Sequence, residues 1–590
     1  MLLPWSVAEC LSTARFALSV LLLAGCASSG GAKHKEAARR DPPPSLAAPR
    51  AAPFGQRQEV ATVDPLERAR AAINARDLLL GIETLASDAF EGRAPGTRGE
   101  TQTVDWLKAR FRAVGLQPAG DQGSWTQTVP LVAYTSQPAL TLTVRGKPRV
   151  LTASRDFVAW SPVPLPEVAV ENSELVFVGY GVIAPEYGWN DFKGMDLRGK
   201  TLLMLINDPP VVDRANPDRL DPALFRGEAM TYYGRWTYKY EMAARLGAAA
   251  VLIIHEPGPA GYPWQVVVNS WGQENYVLQS ATANSDYPLI PGWIEGGQAR
   301  NLLVAAGYDL EVLKAQAARP EFHPVKLGIQ ASFRIQNHWR ELRSANVVGR
   351  IPGSDPTLRD QTVIYTAHWD HFGRDDRRSG DKIFHGAIDN AAGVSGMLQI
   401  AQAMTLASPP PRRSIVFVAT TAEERGLLGA RWYVRHPLYP LDKTVADINI
   451  DGINAFGRST GVDVIGYGAN TLEDVLVDAA QMQGREVFAE ARPELGLMYR
   501  SDQFEFSRVG VPSLFMTAHP RLRGRSLAYA RERIESYAQR DYHTPRNVVR
   551  ADWDLSGAVE DLQLMLDVGY RCSNTPRAPQ WKPGAEFHRP

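Results

Sequence analysis

The residues best equipped for chemistry begin in the stretch Thr362 to Gly393, TVIYTAHWDHFGRDDRRSGDKIFHGAIDNAAG. An apolar run, Val363-Ile364-Tyr365, stops at Ala367, and His368, Asp370 and His371 follow at once. Asp389 stands just before a segment of helical spacing. Glu423-Glu424 and Asp451 each follow a further apolar run, and His543 lies in Tyr542-His543-Thr544-Pro545. Imidazole with carboxylate is the donor set zinc takes when thiolates are absent. Only Cys10, Cys26 and Cys572 occur, so cysteine supplies neither a metal site nor a disulfide framework. Singly, each group has a bland reading. His368 and Asp370 could be a hydrogen-bonded loop pair, Glu423-Glu424 a solvated pair, Asp451 a turn cap with Gly452, and His543 a surface residue. Recurrence at strand ends argues against four separate accidents. Carboxylates converging in a dry cleft would repel one another, and a pair of metal ions resolves that repulsion.

Other patterns are decoys. No H-E-x-x-H occurs. Gly457-Arg458-Ser459-Thr460-Gly461 fits G-x-S-x-G, but Val462-Asp463-Val464-Ile465 after it is strand-like, and a nucleophile turn needs a helix there. His371 and His385 flank the candidate ligands, and Asp375, Asp376 and Asp381 read as a solvated loop.

The elements that must position these groups alternate. Apolar runs at 363–367, 415–419, 445–450 and 511–515 read as buried strands; the last leads to Thr517 and His519. Helical spacing covers 394–406, 427–435 and 472–482, the last capped by Asn470, and Asp554 opens a final helix. Strands alternating with helices predict an α/β fold, a mostly parallel sheet flanked by helices. Ligands bind such sheets at the carboxyl ends of the strands. An earlier block, 172–335, contains strand patterns near 175–182, 201–206 and 248–254 and reads as an inserted β-rich module.

The N-terminus reads as an export signal. Arg15 precedes the apolar run 16–23, which ends in Leu23-Ala24-Gly25-Cys26. Residues 26–63 are rich in Ala, Pro, Gly and Arg and read as a disordered tether. The expected organisation is therefore a signal peptide (1–25), a tether (26–63), the main domain in two parts (64–171 and 336–575), the insert (172–335) and a C-terminal tail (576–590). With 64 basic and 64 acidic residues the chain has no basic excess to suit a nucleic acid.

The ordered set AHWDH (367–371), GAIDNAAG (386–393), TTAEERGLLGA (420–430), INIDGI (448–453), RSDQFEF (500–506) and YHTP (542–545) resembles the bacterial M28 zinc peptidases, as do FEGRAPGT and GYGVIAPEYGWNDF (179–192). Leu-Ala-Gly-Cys resembles a lipobox. The resemblance implies a zinc-peptidase fold with a protease-associated insert and two zinc ions. His368 and Asp451 would hold one zinc, Glu424 and His543 the other, and Asp389 both. Asp370 would orient His368, Glu423 would be the general base, and Tyr499 a donor to the oxyanion. It also implies peptide substrates, release of N-terminal residues, and lipid attachment at Cys26, with the enzyme anchored in the outer membrane and facing the periplasm. Ile388, Ala392 and Gln503 depart from the family pattern at positions that are not ligands. Three alternatives stay open: a carboxypeptidase, with Arg425, Arg500 or the 521–525 loop clamping the substrate carboxylate; a glutaminyl cyclase; and a non-catalytic binding lipoprotein.

Overall fold

The computed structural model describes residues 64–280 and 286–589. The expected signal peptide, the tether and Cys26 lie outside these residues. Seven strands of one continuous 16-stranded sheet form the part that carries the candidate ligands. Their order is Glu486–Ala489, Gly461–Val464, Ser513–Ala518, Thr444–Asn449, Thr362–His368, Ser414–Thr420 and the end of Val325–Ile351. The three central neighbours, 444–449, 362–368 and 414–420, are parallel. Every residue of these three strands is buried, which is why they read as unbroken apolar runs. Antiparallel pairing enters beside 414–420, with 325–351, and between 461–464 and 513–518.

Helices cover the sheet. Gly393–Met404 and Ser556–Asn574 pack on it and on each other, and nearly every residue of the first is buried. Gly393 cannot carry a side chain, because a Cβ there would lie 2.1 Å from Asn390 Oδ1 and 2.4 Å from the Ile450 carbonyl. That close approach draws the Asp389 turn against the end of the 444–449 strand. Two expected helix caps sit one step outside their helices. Asn470 accepts from Leu472 N (2.9 Å) and Asp554 from Ser556 N (3.0 Å), closing side-chain turns before the helices begin.

The boundaries expected at 172 and 335 cut strands. Residue 172 lies inside Glu167–Phe177, and 335 lies inside the 27-residue strand Val325–Ile351. That long strand pairs with Thr126–Val144 and Glu167–Phe177 over most of its length, and only its end, 347–351, pairs with 414–420. One strand therefore joins both parts of the continuous sheet. Beyond it 167–177, 201–205, 250–255 and 290–295 are parallel, and Phe157–Ala159 closes the edge. Helices Trp236–Arg245, Trp264–Trp271 and Gly296–Ala306 accompany these strands, so the block is α/β rather than β-rich. It has its own apolar core, distinct from the one around 393–404. The sequence signal for its edges was weak because residues 157–171 pair into it from outside the expected limits.

Residues 576–589 are packed as well. Trp581 donates to the Gly510 carbonyl (2.9 Å), and Glu586 accepts from Tyr499 (2.5 Å).

Candidate metal centre

Chain geometry brings the candidate ligands to one rim of the sheet. His368 is the last residue of its strand. Glu423 and Glu424 open a 3-10 turn after 414–420, reached through Ala422 at φ 53°. Asp451 lies just beyond 444–449, and Asp389 lies in the turn Ala387–Ala392 that leads into the 393–404 helix. His543, at φ 53°, follows the turn Tyr537–Asp541.

Asp389 is the centre of the arrangement. Its Oδ1 lies 3.3 Å from His368 Nε2, and its Oδ2 lies 3.2 Å from His543 Nε2. His368 Nε2 also lies 3.3 Å from Asp451 Oδ1, and His543 Nε2 lies 3.1 Å from Glu424 Oε2. Two donor sets thus share one carboxylate, as in the groupings His368, Asp389, Asp451 and His371, Asp389, Glu424, whose ligand atoms lie within 4.8 Å of one another. All five candidate ligands come together.

Electrostatics agree with a site built for cations. Burial would lower the pKa of His368, but Glu423, Asp451 and Asp389 outweigh it and hold it well above the ordinary imidazole value. Burial opposes protonation of His543 too, yet Glu424 and Asp389 raise it to about 9. Burial and Asp389 push the Glu424 carboxyl up, and His543 and His371 overcome them to bring it to about 2. Glu423 goes the other way. Burial, reinforced by Asp451, Glu424 and Asp502 and opposed by His368, holds it well above the carboxylate range. In the metal-free protein the imidazolium protons do what cations would do. Carboxylates converging on imidazole nitrogens, one shared between two sets, fit a pair of divalent ions.

Two expected roles differ in detail, those of Asp370 and Tyr499. Asp370 does not face His368 through its carboxylate, which is 3.7 Å from Nδ1; its backbone oxygen is nearer, at 3.2 Å. The carboxylate instead accepts from the backbone N–H groups of Glu423 (3.0 Å) and Glu424 (3.4 Å), so it holds the turn that presents both glutamates. Tyr499 donates to Glu586 (2.5 Å), so its hydroxyl is committed away from the ligands. His371, set aside in the sequence, bonds Glu424 Oε1 through Nδ1 at 2.5 Å. His519 pairs with Asp463 (2.5 Å) and is not among the ligands. Ser459 donates to the His519 carbonyl (2.6 Å) and is no nucleophile, while His385 bonds the Ala86 carbonyl and Asp381.

Residues that the sequence reading missed complete the surroundings. Ser270 Oγ lies 3.2 Å from His543 Nδ1, and Asn269 Nδ2 donates to the His543 carbonyl (2.8 Å). Both come from the inserted block, more than 270 residues upstream in the chain. An Nδ1–H donated to Ser270 leaves Nε2 of His543 as the ligating nitrogen. Arg93, in the FEGRAPGT loop, is fully buried. Its guanidinium donates to the carbonyls of Leu85 (2.6 Å), His385 (2.8 Å), Trp369 (2.9 Å) and Gly386 (2.9 Å). It ties the loops that carry His368 and Asp389. Tyr542 stacks on His543 with ring centroids 3.7 Å apart, and its hydroxyl bonds no described residue. A cleft of about 500 Å³ opens onto Glu423, Glu424, Asp389, Asp451 and Tyr542, walled on one side by Arg235, Trp236 and Trp271 of the insert.

Residues 346–566 match the family model "Peptidase family M28". "Aminopeptidase NAALADL1" of Mus musculus is 33% identical over 150 residues, 24% of this chain and 18% of that protein. "Vacuolar membrane protease" of Verticillium alfalfae is 26% identical over 181 residues, 30% of this chain and 15% of that one. The matched stretches thus span less than a fifth of the length of these relatives. Among solved structures, the aminopeptidase from Aneurinibacillus sp. strain AM-1 aligns at 16% identity and TM-score 0.49, covering 89% of this chain and 99% of that one. BSAP, a zinc aminopeptidase from Bacillus subtilis, aligns at 18% identity and TM-score 0.45, covering 86% and 97%.

Proposed function

The chain carries an M28-family peptidase domain over residues 346–566, and from that premise we propose that it is a two-zinc aminopeptidase releasing N-terminal residues from peptides. One observation carries this reading: the two oxygens of Asp389 face two different imidazoles, His368 and His543, at 3.3 and 3.2 Å. His368 and Asp451 would hold one zinc, Glu424 and His543 the other, and Asp389 both. When bound, zinc supplies Lewis acidity towards a carbonyl and towards water. The protein's own residues do the rest. Asp370 fixes the 423–425 turn, so that one glutamate serves as ligand while its neighbour stays free. Glu423 lines the cleft, where its carboxylate accepts the proton of the attacking water and returns it to the departing amine. The Tyr542 hydroxyl, which bonds no described residue, donates to the developing oxyanion. Trp236 and Trp271 exclude water from that side of the cleft.

The test separates the adjacent glutamates. Glu424→Gln should lower zinc content. Glu423→Gln should keep both ions and lose on the order of 10²–10⁴ in kcat with little change in KM. Elemental analysis beside steady-state kinetics on aminoacyl arylamides decides it. A Glu423→Gln protein that loses zinc or keeps full kcat overturns the assignment.

The export reading belongs to the same proposal: cleavage before Cys26, acylation of its thiol and display at the outer membrane. Cys26→Ser should move the protein from the membrane to the soluble fraction with an unchanged melting temperature. Unchanged partitioning refutes the anchor.

A further inference from the structure

The buried guanidinium groups among the described residues have partners, because an unpaired buried cation is costly. Arg93 has four carbonyls. Arg413 donates to Gln361 and to the carbonyls of Cys572 and Thr575. Arg431 pairs with Glu505 at 3.0 Å, and Arg485 with Asp561 at 2.5 Å. Two half-buried guanidinium groups on the cleft wall are less well partnered. Arg235 lies between the turn Tyr232–Gly234 and the helix Trp236–Arg245 of the insert; Arg500 follows the turn Leu497–Tyr499 of the peptidase part. Arg235 makes no side-chain hydrogen bond or ion pair with any described residue, and its only close contact of this kind is with the Trp236 ring, 5.3 Å away. Arg500 has a single bond, to the Ala260 carbonyl (2.9 Å), and lies 5.3 Å from the Tyr262 ring. The Nε atoms of both are closed off from solvent without an acceptor. Both residues line the cleft that holds Glu423. Partial burial and repulsion from Arg500 lower Arg235 to about 10, against the attraction of Tyr262, Tyr542 and Glu423. No carboxylate among the described residues lies within ion-pair distance of either.

We propose that Arg235 and Arg500 form a carboxylate subsite of the cleft, and that the preferred substrate places an anionic carboxylate there. The inference rests on the peptidase reading and adds a substrate class to it. Two planar forks suit a carboxylate, which guanidinium binds through paired hydrogen bonds. Such a group reaches the cleft either as the free α-carboxylate of a dipeptide or as an acidic side chain beside the scissile bond. Of the basic residues suggested by the sequence, only Arg500 lines the cleft. Arg425 is buried against Phe372, and Arg523 lies near Glu560.

The experiment uses four probes: Leu-Gly, Leu-Gly amide, Leu-Asp amide and Leu-Asn amide. Binding to the metal-free protein is measured by calorimetry, and kcat/KM is measured on the zinc-loaded protein. Charge-assisted hydrogen bonding predicts a preference of roughly 10–100-fold for the carboxylate member of at least one pair. A preference confined to the first pair identifies the α-carboxylate; one confined to the second identifies the side chain. R235M and R500M should each bring the ratio towards one, while R235K and R500K retain part of it and confirm folding by circular dichroism. Equal affinity within both pairs for the wild type, or a ratio that survives in both methionine variants, overturns the subsite. If the loaded protein cleaves none of the four probes, the aminopeptidase reading fails, and the calorimetry still decides the subsite.

Discussion

Arg93→Met removes a cation that is completely enclosed and bonded to four backbone carbonyls. Each of those bonds comes from a charged donor and is worth roughly 1.5–3 kcal/mol, and each carbonyl left unsatisfied costs roughly 1–3 kcal/mol. The four share one cavity, so the losses do not add and water can re-enter; a net destabilisation of roughly 4–6 kcal/mol follows. That is a large share of a typical folding free energy of about 5–15 kcal/mol. Arg93→Lys keeps the charge but cannot span four acceptors, and should cost about half as much. Three of the carbonyls, those of Trp369, His385 and Gly386, lie in the loops beside His368 and Asp389, and the fourth, that of Leu85, ends the helix Ala75–Leu85. Zinc affinity should therefore fall with stability, by about 10–100-fold, the usual effect of losing support behind a ligand. The assay is urea unfolding of the metal-free protein, with zinc affinity measured by chelator competition. A destabilisation below about 1 kcal/mol would refute the hydrogen-bond argument. Full destabilisation with unchanged zinc affinity would refute the link between this guanidinium and the ligand loops.

Two further predictions concern protons and hydroxyls. In the metal-free protein His543 is held at about 9, so between pH 7 and pH 9 a bound metal must displace its proton. Apparent zinc affinity should rise at least about tenfold per pH unit over that window; a flat competition titration from pH 7 to 8.5 contradicts the imidazolium assignment. Tyr542→Phe should lower kcat by roughly 10²-fold with the metals retained. Tyr499→Phe should leave kcat nearly unchanged and cost roughly 1–2 kcal/mol of stability, because its hydroxyl serves Glu586. Kinetics and thermal melts on the two variants test this, and the reverse pattern would restore Tyr499 as the oxyanion donor.

Local sequence determined a good deal here. The strands at 362–368, 414–420 and 444–449 are buried on both faces, so their apolar runs stand out without any partner being known. Polar groups directly after such runs must lie at one rim of a parallel sheet, which is why His368, Glu423, Glu424 and Asp451 could be named together. Long-range geometry was not legible in the same way. The carboxylate of Asp370 spans to the Glu423 turn rather than to its neighbour His368. The imidazole of His543 is steadied by Ser270 and Asn269 from the insert, and Arg93 reaches carbonyls almost 300 residues away. The limits of the insert were hidden because a single strand, 325–351, serves both parts of the sheet and carries no break at the change of partner. Arg235 looks like any surface arginine in the sequence; folding brings it to the cleft wall with no carboxylate of the described residues in ion-pair distance. Residue type and period are properties of a segment, and strand runs depend on little else. The satisfaction of a hydrogen bond or a charge depends on which distant segment arrives beside it, and only the tertiary structure decides that.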